Sequence, residues 1–295
     1  MLDSSPTFRF IELDEVASTN SFLADYRPLE PTEMTLVTAE YQTAGRGQAG
    51  NSWESAPGQN LLFSLLLHPT FLPPTFIFLL SEAIALAIRD TLACILGNPK
   101  NRHAALPLSD LTIPSANLSS SVTVKWPNDI YVDDRKIAGI LIENQLSGQH
   151  IGRCIIGCGI NINQTEFHSD APNPVSLRQL LGYDLTRTLV LDAIITAFRR
   201  HYSALRTTFS SPESVDDKAA NGCRSVISKS LHASYLDALY RRTGLHPYLD
   251  ATSPTPFLAE VADVEPSGHL ILRDTEGHLR RYAFKEVAFI LPEKA

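Results

Sequence analysis

Short runs of apolar and β-branched residues predict a series of strands in the first part of the chain. Such runs are typical of strands when turn-forming residues bound them at both ends. The clearest is Leu61–Leu67, an apolar run between Pro57-Gly58 and Pro69 that indicates a buried strand. The other predicted strands cover residues 8–13, 35–41, 122–124, 130–132, 137–142 and 151–156.

Helical periodicity is present in three longer segments. In 76–96 large apolar residues recur at positions 76, 79, 80, 84, 88, 92 and 95. Because Glu82, Arg89 and Asp90 interrupt this segment, it predicts an amphipathic helix rather than a membrane span. A second helix is predicted over 187–208, with apolar residues at 190, 191, 194, 195, 198, 202 and 205. A third is predicted over 229–242, and Gly244 stops it.

The last part of the chain has a different pattern. Short strands at 257–264, 269–273, 279–284 and 287–291, separated by turns, predict a small all-β barrel. Residues 97–121 are rich in Pro, Ser and Asn and predict a surface insertion. We therefore expect a larger domain over 1–245, which contains this insertion, and a small domain over 246–295 that packs against it.

The composition is that of an ordinary globular protein, with 44% hydrophobic and 19% charged residues in a chain of 295. The net charge of −7 argues against non-specific nucleic-acid binding, which needs Lys and Arg to neutralise phosphates. The four cysteines form no Cys-x-x-Cys, and we expect Cys154 and Cys158 to be buried thiols rather than metal ligands. Residues 1–15 have no apolar signal core, so a cytoplasmic protein is expected.

The candidate chemistry is organised around residues 125–144, Lys-Trp-Pro-Asn-Asp-Ile-Tyr-Val-Asp-Asp-Arg-Lys-Ile-Ala-Gly-Ile-Leu-Ile-Glu-Asn. Pro127 breaks one strand, and a polar turn at 133–135 separates the next two. Lys125 and Lys136 therefore lie at strand edges beside turns, where ligand-binding groups are common. Gly139 interrupts its strand, which indicates a close approach to the backbone. A β-hairpin with two solvated lysines is the alternative.

A glycine-rich loop follows the strand at 35–41. Residues 45–50, Gly-Arg-Gly-Gln-Ala-Gly, have the glycine spacing of dinucleotide-binding proteins, but the loop leads into a strand instead of opening a helix. No acidic residue lies about twenty positions on to hold a ribose. A mobile loop is the better interpretation, in which Arg46 binds an anionic ligand and Trp53 stacks on its ring. An ordinary surface hairpin is the alternative.

Two shorter runs add weaker signals. Residues 18–20, Ser-Thr-Asn, precede a helical pattern and supply either a simple N-cap or a ligand contact. In 157–161, Gly-Cys-Gly-Ile-Asn, the glycines permit close backbone approach, and Asn161 offers a donor and an acceptor. The chain contains no Walker A, His-Glu-x-x-His or Gly-x-Ser-x-Gly motif, which excludes P-loop kinases, zincins and α/β-hydrolases.

The runs at 18–20, 45–53, 125–129, 136–141 and 157–161, in this order, resemble those of biotin protein ligases, which attach biotin to a lysine of carboxylase carrier domains. The resemblance covers nearly the whole chain except 97–121. It implies an α+β fold: a mixed sheet with helices, like that of class II aminoacyl-tRNA synthetases, followed by a small SH3-like β-barrel. Some members also carry an N-terminal DNA-binding domain. This chain begins directly at the catalytic domain, so we expect a ligase that does not bind DNA.

The resemblance implies a reaction in two steps. ATP, with Mg²⁺ offsetting the charge of its triphosphate, activates biotin to biotinyl-5′-AMP, and a carrier lysine then takes the biotin. Lys136 and Arg46 are the expected catalytic cations at the α-phosphate. The implied biotin-binding residues are Ser18, Thr19, Asn20, Gln42, Arg46, Gly47, Gln48, Lys136 and Gly139. The implied nucleotide-binding residues are Arg46, Trp53, Asn128, Lys136 and Asn161.

Two other functions stay open at this point. A lipoate-type acyl-adenylate ligase shares the fold and the chemistry, although the run at 125–129 favours biotin. A non-enzymatic adaptor that uses the barrel as an interaction module is disfavoured by Arg46 and Lys136. The expected partner is a biotin carboxyl carrier protein or domain, with no membrane, and the protein is expected to be a monomer or a homodimer. Gln48 and Ala49 stand where many members have arginine, so we expect weaker retention of the adenylate.

Overall fold

A seven-stranded mixed sheet forms the centre of the structure, a computed structural model that describes residues 8–30, 32–97, 121–148, 150–169, 173–210 and 226–291. Its strands are β1 (Phe8–Val16), β2 (Met34–Gln42), β3 (Leu61–Leu67), β4 (Val122–Lys125), β5 (Asp129–Val132), β6 (Arg135–Ser147) and β7 (His150–Ile160). Their order is β1-β2-β3-β7-β6-β5-β4. Only the β1–β2 pair is parallel among these described neighbours.

Helices cover both faces of this sheet. They are α1 (Thr19–Asp25), α2 (Phe78–Gly97), α3 (Leu177–Leu181), α4 (Arg187–Ser210) and α5 (Val226–Asp237). On one face Leu23 of α1 packs with Leu66 of β3. On the other face Phe63 and Leu65 of β3 join the large core that includes α2 and α4. Because successive strand residues point to opposite faces, β3 is apolar on both, as predicted. The predicted α+β fold is confirmed.

The third predicted helix is shorter than expected. The sequence predicts it over 229–242, but α5 ends at Asp237. Beyond this point the chain pairs with the outer edge of β4, since the Val124 N–H donates to the Ala238 carbonyl and the Tyr240 N–H donates to the Val124 carbonyl, each over 2.8 Å. An otherwise unpaired strand edge thus competes with the last helical turn for the same backbone groups.

A five-stranded antiparallel sheet forms the C-terminal part. Its strands are β8 (His246–Asp250), β9 (Pro256–Val264), β10 (Leu270–Asp274), β11 (Leu279–Tyr282) and β12 (Val287–Phe289), in the order β11-β10-β9-β8-β12. The sequence analysis missed β8, since Pro247 lies inside it and proline argues against a strand. Tyr248 of this strand is fully buried. The indole N–H of Trp126 donates to the Gly268 carbonyl over 2.9 Å and ties this sheet to the larger one.

Several other predictions concern single segments. Cys154 and Cys158 are buried, as predicted, and burial raises the pKa of the Cys154 thiol to about 12. Most of the predicted insertion, residues 98–120, lies outside the described residues. Within the parts that the structure describes, no helix is long and apolar enough to cross a membrane. The change from mixed to antiparallel sheet occurs near the predicted domain boundary at 245–246, which stays a prediction.

Candidate active site

A cavity of about 540 Å³ lies between the larger sheet, the 45–53 loop and the C-terminal sheet. The cavity is lined by residues from the start of α1, from β2, from the loop, from the turn after β4, and from β6 and β7. Residues 284–285 and 287–289 line it from the side of the C-terminal sheet. The predicted site residues that line this single cavity are Ser18, Thr19, Asn20, Gln42, Arg46, Gly47, Gln48, Trp53, Asn128, Lys136 and Gly139. Segments far apart in sequence therefore converge on one cavity.

Asn161 is the predicted site residue that does not line the cavity. Its side chain is buried, and its amide donates to the Val175 carbonyl over 3.1 Å. Its backbone N–H donates to the Ile137 carbonyl, and its carbonyl accepts from the Leu177 N–H. Asn161 thus fixes the chain that leads into α3, and its predicted contact with a nucleotide stays a prediction.

The floor of the cavity is made of glycines on adjacent strands. Gly139 of β6 pairs with Gly159 of β7, and the indole of Trp53 lies on both. A Cβ atom at Gly159 would lie 2.5 Å from the indole Nε1, and one at Gly139 would lie 3.0 Å from Cζ3. These close approaches explain the glycines that interrupt both strands.

The loop that carries Trp53 is a narrow hairpin. The Trp53 N–H donates to the Gly45 carbonyl over 2.9 Å, and the Gly47 N–H donates to the Asn51 carbonyl over 2.7 Å. A Cβ atom at Gly45 would lie 2.5 Å from the Trp53 carbonyl oxygen. Residues Gln48–Gly50 form a single turn of 3-10 helix instead of the start of an α-helix, which agrees with the rejection of the dinucleotide-binding motif.

Lys136 and Arg46 each face a carboxylate. The Nζ atom of Lys136 lies 2.7 Å from Oδ1 of Asp129 and 5.7 Å from the centre of a Trp53 ring. The Arg46 guanidinium lies 2.7 Å from Oε1 of Glu143. Both cations line the same cavity, so two positive charges from separate parts of the chain face one space.

A buried network of polar side chains lies at the end of the cavity nearest α1. The hydroxyl of Ser64 lies 2.6 Å from Oδ1 of Asn20 and 2.7 Å from the Thr19 hydroxyl. Gln42 Oε1 accepts from the Thr19 N–H over 2.7 Å. Ser18 occupies the N-cap position of α1, but its side chain makes no capping hydrogen bond. The run 18–20 therefore lines the cavity at the start of α1, and its contact with a ligand stays a prediction.

Lys125 is a further lysine in the cavity lining. Its Nζ atom lies 5.4 Å from the Tyr131 ring centre and 5.0 Å from that of Phe289. Burial lowers its pKa; Asp129 opposes this effect, while the positive charges of Lys136 and Arg241 add to it. An anionic group bound beside Lys125 would oppose this lowering of its pKa.

Three residues that contribute to the site were not predicted from the sequence. Ser64 is the single polar residue within the apolar strand β3, and this position was a usable signal. Glu143 lies four residues after Gly139 on β6. Because side chains alternate between the two faces of a strand, both residues share one face, which could have been inferred once the strand was known. Phe289 comes from the C-terminal sheet, and nothing in its local sequence indicates a contact with the larger sheet.

Comparisons with known proteins agree with the resemblance found in the sequence. The model of the biotin/lipoate A/B protein ligase family matches residues 13–161. The bifunctional ligase/repressor BirA of Bacillus subtilis is 30% identical over 194 residues, which are 64% of this chain and 52% of that protein. The biotin–[acetyl-CoA-carboxylase] ligase of Paracoccus denitrificans is 30% identical over 198 residues, which are 65% of this chain and 73% of that protein. The chain spans about half the length of several curated relatives that it matches.

Solved structures agree in fold. The biotin protein ligase from Aquifex aeolicus in complex with biotin and ATP matches with a TM-score of 0.68 at 22% identity, over 96% of this chain and 99% of that one. The biotin protein ligase from Leishmania major in complex with biotin matches with a TM-score of 0.57 at 24% identity, over 95% and 100%. Because the family model covers half of the sequence, the chain belongs to the biotin/lipoate A/B protein ligase family.

Proposed function

We propose that the protein is a biotin–[biotin carboxyl-carrier protein] ligase, which forms biotinyl-5′-AMP from biotin and ATP and transfers the biotin to a carrier lysine. One observation carries this proposal. The two cations that this chemistry needs, Arg46 and Lys136, line one cavity together with the residues expected to bind biotin. Relatives named as biotin ligases support biotin as the substrate, and lipoate is not favoured.

The first step brings negative charges together, because a carboxylate attacks the α-phosphate of ATP. The site has to stabilise the charge that develops at the phosphorus, and cations fixed in advance do this without reorganisation. Lys136 stands on β6 with its ammonium beside Asp129, and Arg46 stands on the loop. In this proposal the Lys136 ammonium and the Arg46 guanidinium meet the reacting oxygens from these positions.

Biotin is largely apolar and has a ureido group that both donates and accepts hydrogen bonds. A pocket for such a ligand needs a few polar groups in fixed positions. Thr19 and Gln42 are the polar groups best held for this purpose, since Ser64 and the start of α1 fix them. Asn20 is committed to Ser64 and Glu143, so we assign it to shaping the pocket.

The nucleotide would lie over the glycine floor beside Trp53. Asn128 holds the turn after β4 to β6, because its side-chain amide donates to the Ile140 carbonyl. Phe289 and Lys125 close the cavity on the side of the C-terminal sheet. We therefore propose that residues 246–295 form a separate domain that completes the nucleotide site.

Mg²⁺ fits this site as an ion that arrives with ATP. Among the described residues no group of three or more His, Cys, Asp or Glu side chains could hold a metal ion. Magnesium in nucleotide sites is bound by one or two carboxylates together with phosphate oxygens and water. Asp129 lines the cavity and would supply one carboxylate. The ion would offset the charge of the triphosphate.

In the second step the amine of a carrier lysine attacks the acyl carbon, and AMP leaves. The free amine has a pKa of about 10.4, so it has to lose a proton before it attacks. The mixed anhydride is prone to hydrolysis, and the 45–53 loop would exclude water by closing over it. A soluble carrier protein as the acceptor agrees with a cytoplasmic location, which we include in the proposal.

Biotin-dependent ATP–pyrophosphate exchange, followed by transfer to a purified carrier domain, tests the proposal. We expect exchange with biotin, no exchange without it, and a stable amide on one carrier lysine. Lipoate in parallel reactions is the control for the substrate. Exchange that depends on lipoate alone, or no exchange with either acid, would overturn the assignment.

A further inference from the structure

We propose that Glu143 is a positioning residue that holds Arg46 in the cavity and thereby docks the 45–53 loop on the sheet. This inference rests on the proposed function, since it assigns Arg46 a partner within the same site. It adds a residue that none of the sequence motifs singled out.

The contacts of Glu143 are specific. Its Oε1 atom lies 2.7 Å from Nη2 of Arg46, and its Oε2 atom lies 3.3 Å from Nη1. Oε2 also accepts from the Asn20 side-chain amide over 2.9 Å. The carboxylate therefore joins the loop to the start of α1 through both of its oxygens, which fixes its orientation better than a single contact would.

Asn20 is itself held rigidly. Its Oδ1 atom lies 2.6 Å from the hydroxyl of Ser64, which is fully buried on β3. Gly157 of β7 lies directly below, since a Cβ atom there would lie 2.8 Å from Cγ of Asn20. A chain of hydrogen bonds thus runs from the centre of the sheet through Asn20 and Glu143 to Arg46. The loop cation is positioned by the core of the fold rather than by the loop.

The position of Glu143 on its strand leads to the same conclusion. Gly139, Leu141 and Glu143 alternate along β6 and share one face, and the first two line the cavity. Glu143 is the next residue on this face. It lies at the border of the cavity, outside the cavity lining, and its carboxylate contacts Arg46. The end-on pair uses the two terminal nitrogens of the guanidinium.

An ordinary surface ion pair does not account for this arrangement. The Arg46 and Glu143 side chains are 45% and 34% exposed, so the pair adds little to the free energy of unfolding. A carboxylate near a site for anions also weakens anion binding by its charge alone. Its contribution has to be geometric: it places the guanidinium before the substrate arrives, which reduces the ordering needed during the reaction.

A double-mutant cycle with Arg46 tests the inference. We expect Glu143→Ala to lower kcat/KM for biotin-dependent ATP–pyrophosphate exchange roughly tenfold, an effect in the range of coupling between contacting residues. In an Arg46→Ala background the same substitution should change kcat/KM less than about twofold, since the residue it positions is gone. Glu143→Gln keeps one oxygen acceptor and should recover part of the loss. Equal effects in both backgrounds would overturn the inference.

A second measurement does not depend on activity. Hydrogen exchange of the backbone amides in 45–53 should be faster in Glu143→Ala than in the unaltered protein. The control is Glu40→Ala, which breaks an ion pair of the same 2.7 Å length with Arg187, outside the cavity lining, and should leave exchange in the loop unchanged. Loop protection that is identical with and without Glu143 would refute the positioning role. If the unaltered protein showed no pyrophosphate exchange, the proposed function would be refuted instead. Hydrogen exchange of the loop amides would still decide the role of Glu143.

Discussion

The indole of Trp53 lies so close to Gly159 that no side chain fits between the loop and β7. A Cβ atom at this glycine would be 2.5 Å from the indole Nε1. Because Gly159 pairs with Leu62 of β3 on one side and with Gly139 of β6 on the other, the strand has little freedom to move away. The loop and the sheet floor therefore depend on each other, and a change at Gly159 acts on Trp53.

This relationship predicts the effect of Gly159→Ala. The added methyl group should displace the indole and raise KM for ATP roughly threefold to tenfold, which corresponds to the loss of one aromatic stacking contact. KM is measured in the biotin-dependent exchange reaction, together with the free energy of unfolding. In a Trp53→Ala background the methyl group has nothing to displace, so Gly159→Ala should add almost nothing. A full additional effect in that background would contradict the prediction.

Lys136→Ala should lower the rate of adenylation about 10²-fold or more and leave the fold intact. Removing a fixed donor or charge at a developing anion has an effect of this size. Lys229→Ala is the matched control, since it also removes a lysine, but an exposed one on α5. The rate is measured from pyrophosphate release in time courses of quenched reactions, and circular dichroism checks the fold. Near-normal release from the Lys136 variant would end this assignment.

The sequence predicted the strands of the larger sheet well because their signals are local. The apolar run at 61–67 coincides with β3, and the helix predicted at 76–96 is α2 within two residues at each end. Long-range competition caused the error at the end of the third predicted helix. The end of α5 is decided by the edge of β4, which the local pattern at 229–242 does not contain.

The candidate site was predictable to a similar extent. Glycines and charged residues at strand ends identified the loop and Lys136, because close backbone approach and fixed charge require these residue types. Glu143 and Phe289 were not predicted, because each matters through a contact with a residue far away in sequence. Glu143 contacts Arg46, and Phe289 contacts Lys125. A polar residue inside an apolar strand, as at Ser64, is the one missed signal that the sequence did contain.

Gln48→Arg should slow the release of biotinyl-5′-AMP by several-fold. Gln48 lies in the loop and lines the cavity, and it adds no charge there. A guanidinium at this position would be attracted to the phosphate of the adenylate, and partly exposed charge pairs of this kind contribute up to about 1 kcal/mol. Rapid filtration of the preformed adenylate complex measures the release rate. Gln48→Met, of similar length and uncharged, is the control, and equal rates in the two variants would reject the prediction.

The ion cluster around His232 predicts that the free energy of unfolding depends on pH. Burial disfavours the charged ring, but hydrogen bonds to Asp263 and Glu82 outweigh it and raise the pKa of His232 to about 9. Both ring nitrogens face a carboxylate, at 2.7 Å for Glu82 and 3.1 Å for Asp263, and the buried Tyr235 lies beside Glu82. A neutral ring has only one N–H and cannot satisfy both.

The folded pKa is therefore above the unfolded value of about 6.5, so the cluster stabilises the fold fully below pH 6.5 and loses this contribution as the pH rises through 9. Urea unfolding between pH 6 and pH 9.5 should follow this decline, and His232→Gln should remove it. His278→Gln is the matched control, because the His278 side chain is 71% exposed and its loss should leave the profile unchanged. An unaltered decline in the His232 variant would assign the pH dependence to other groups.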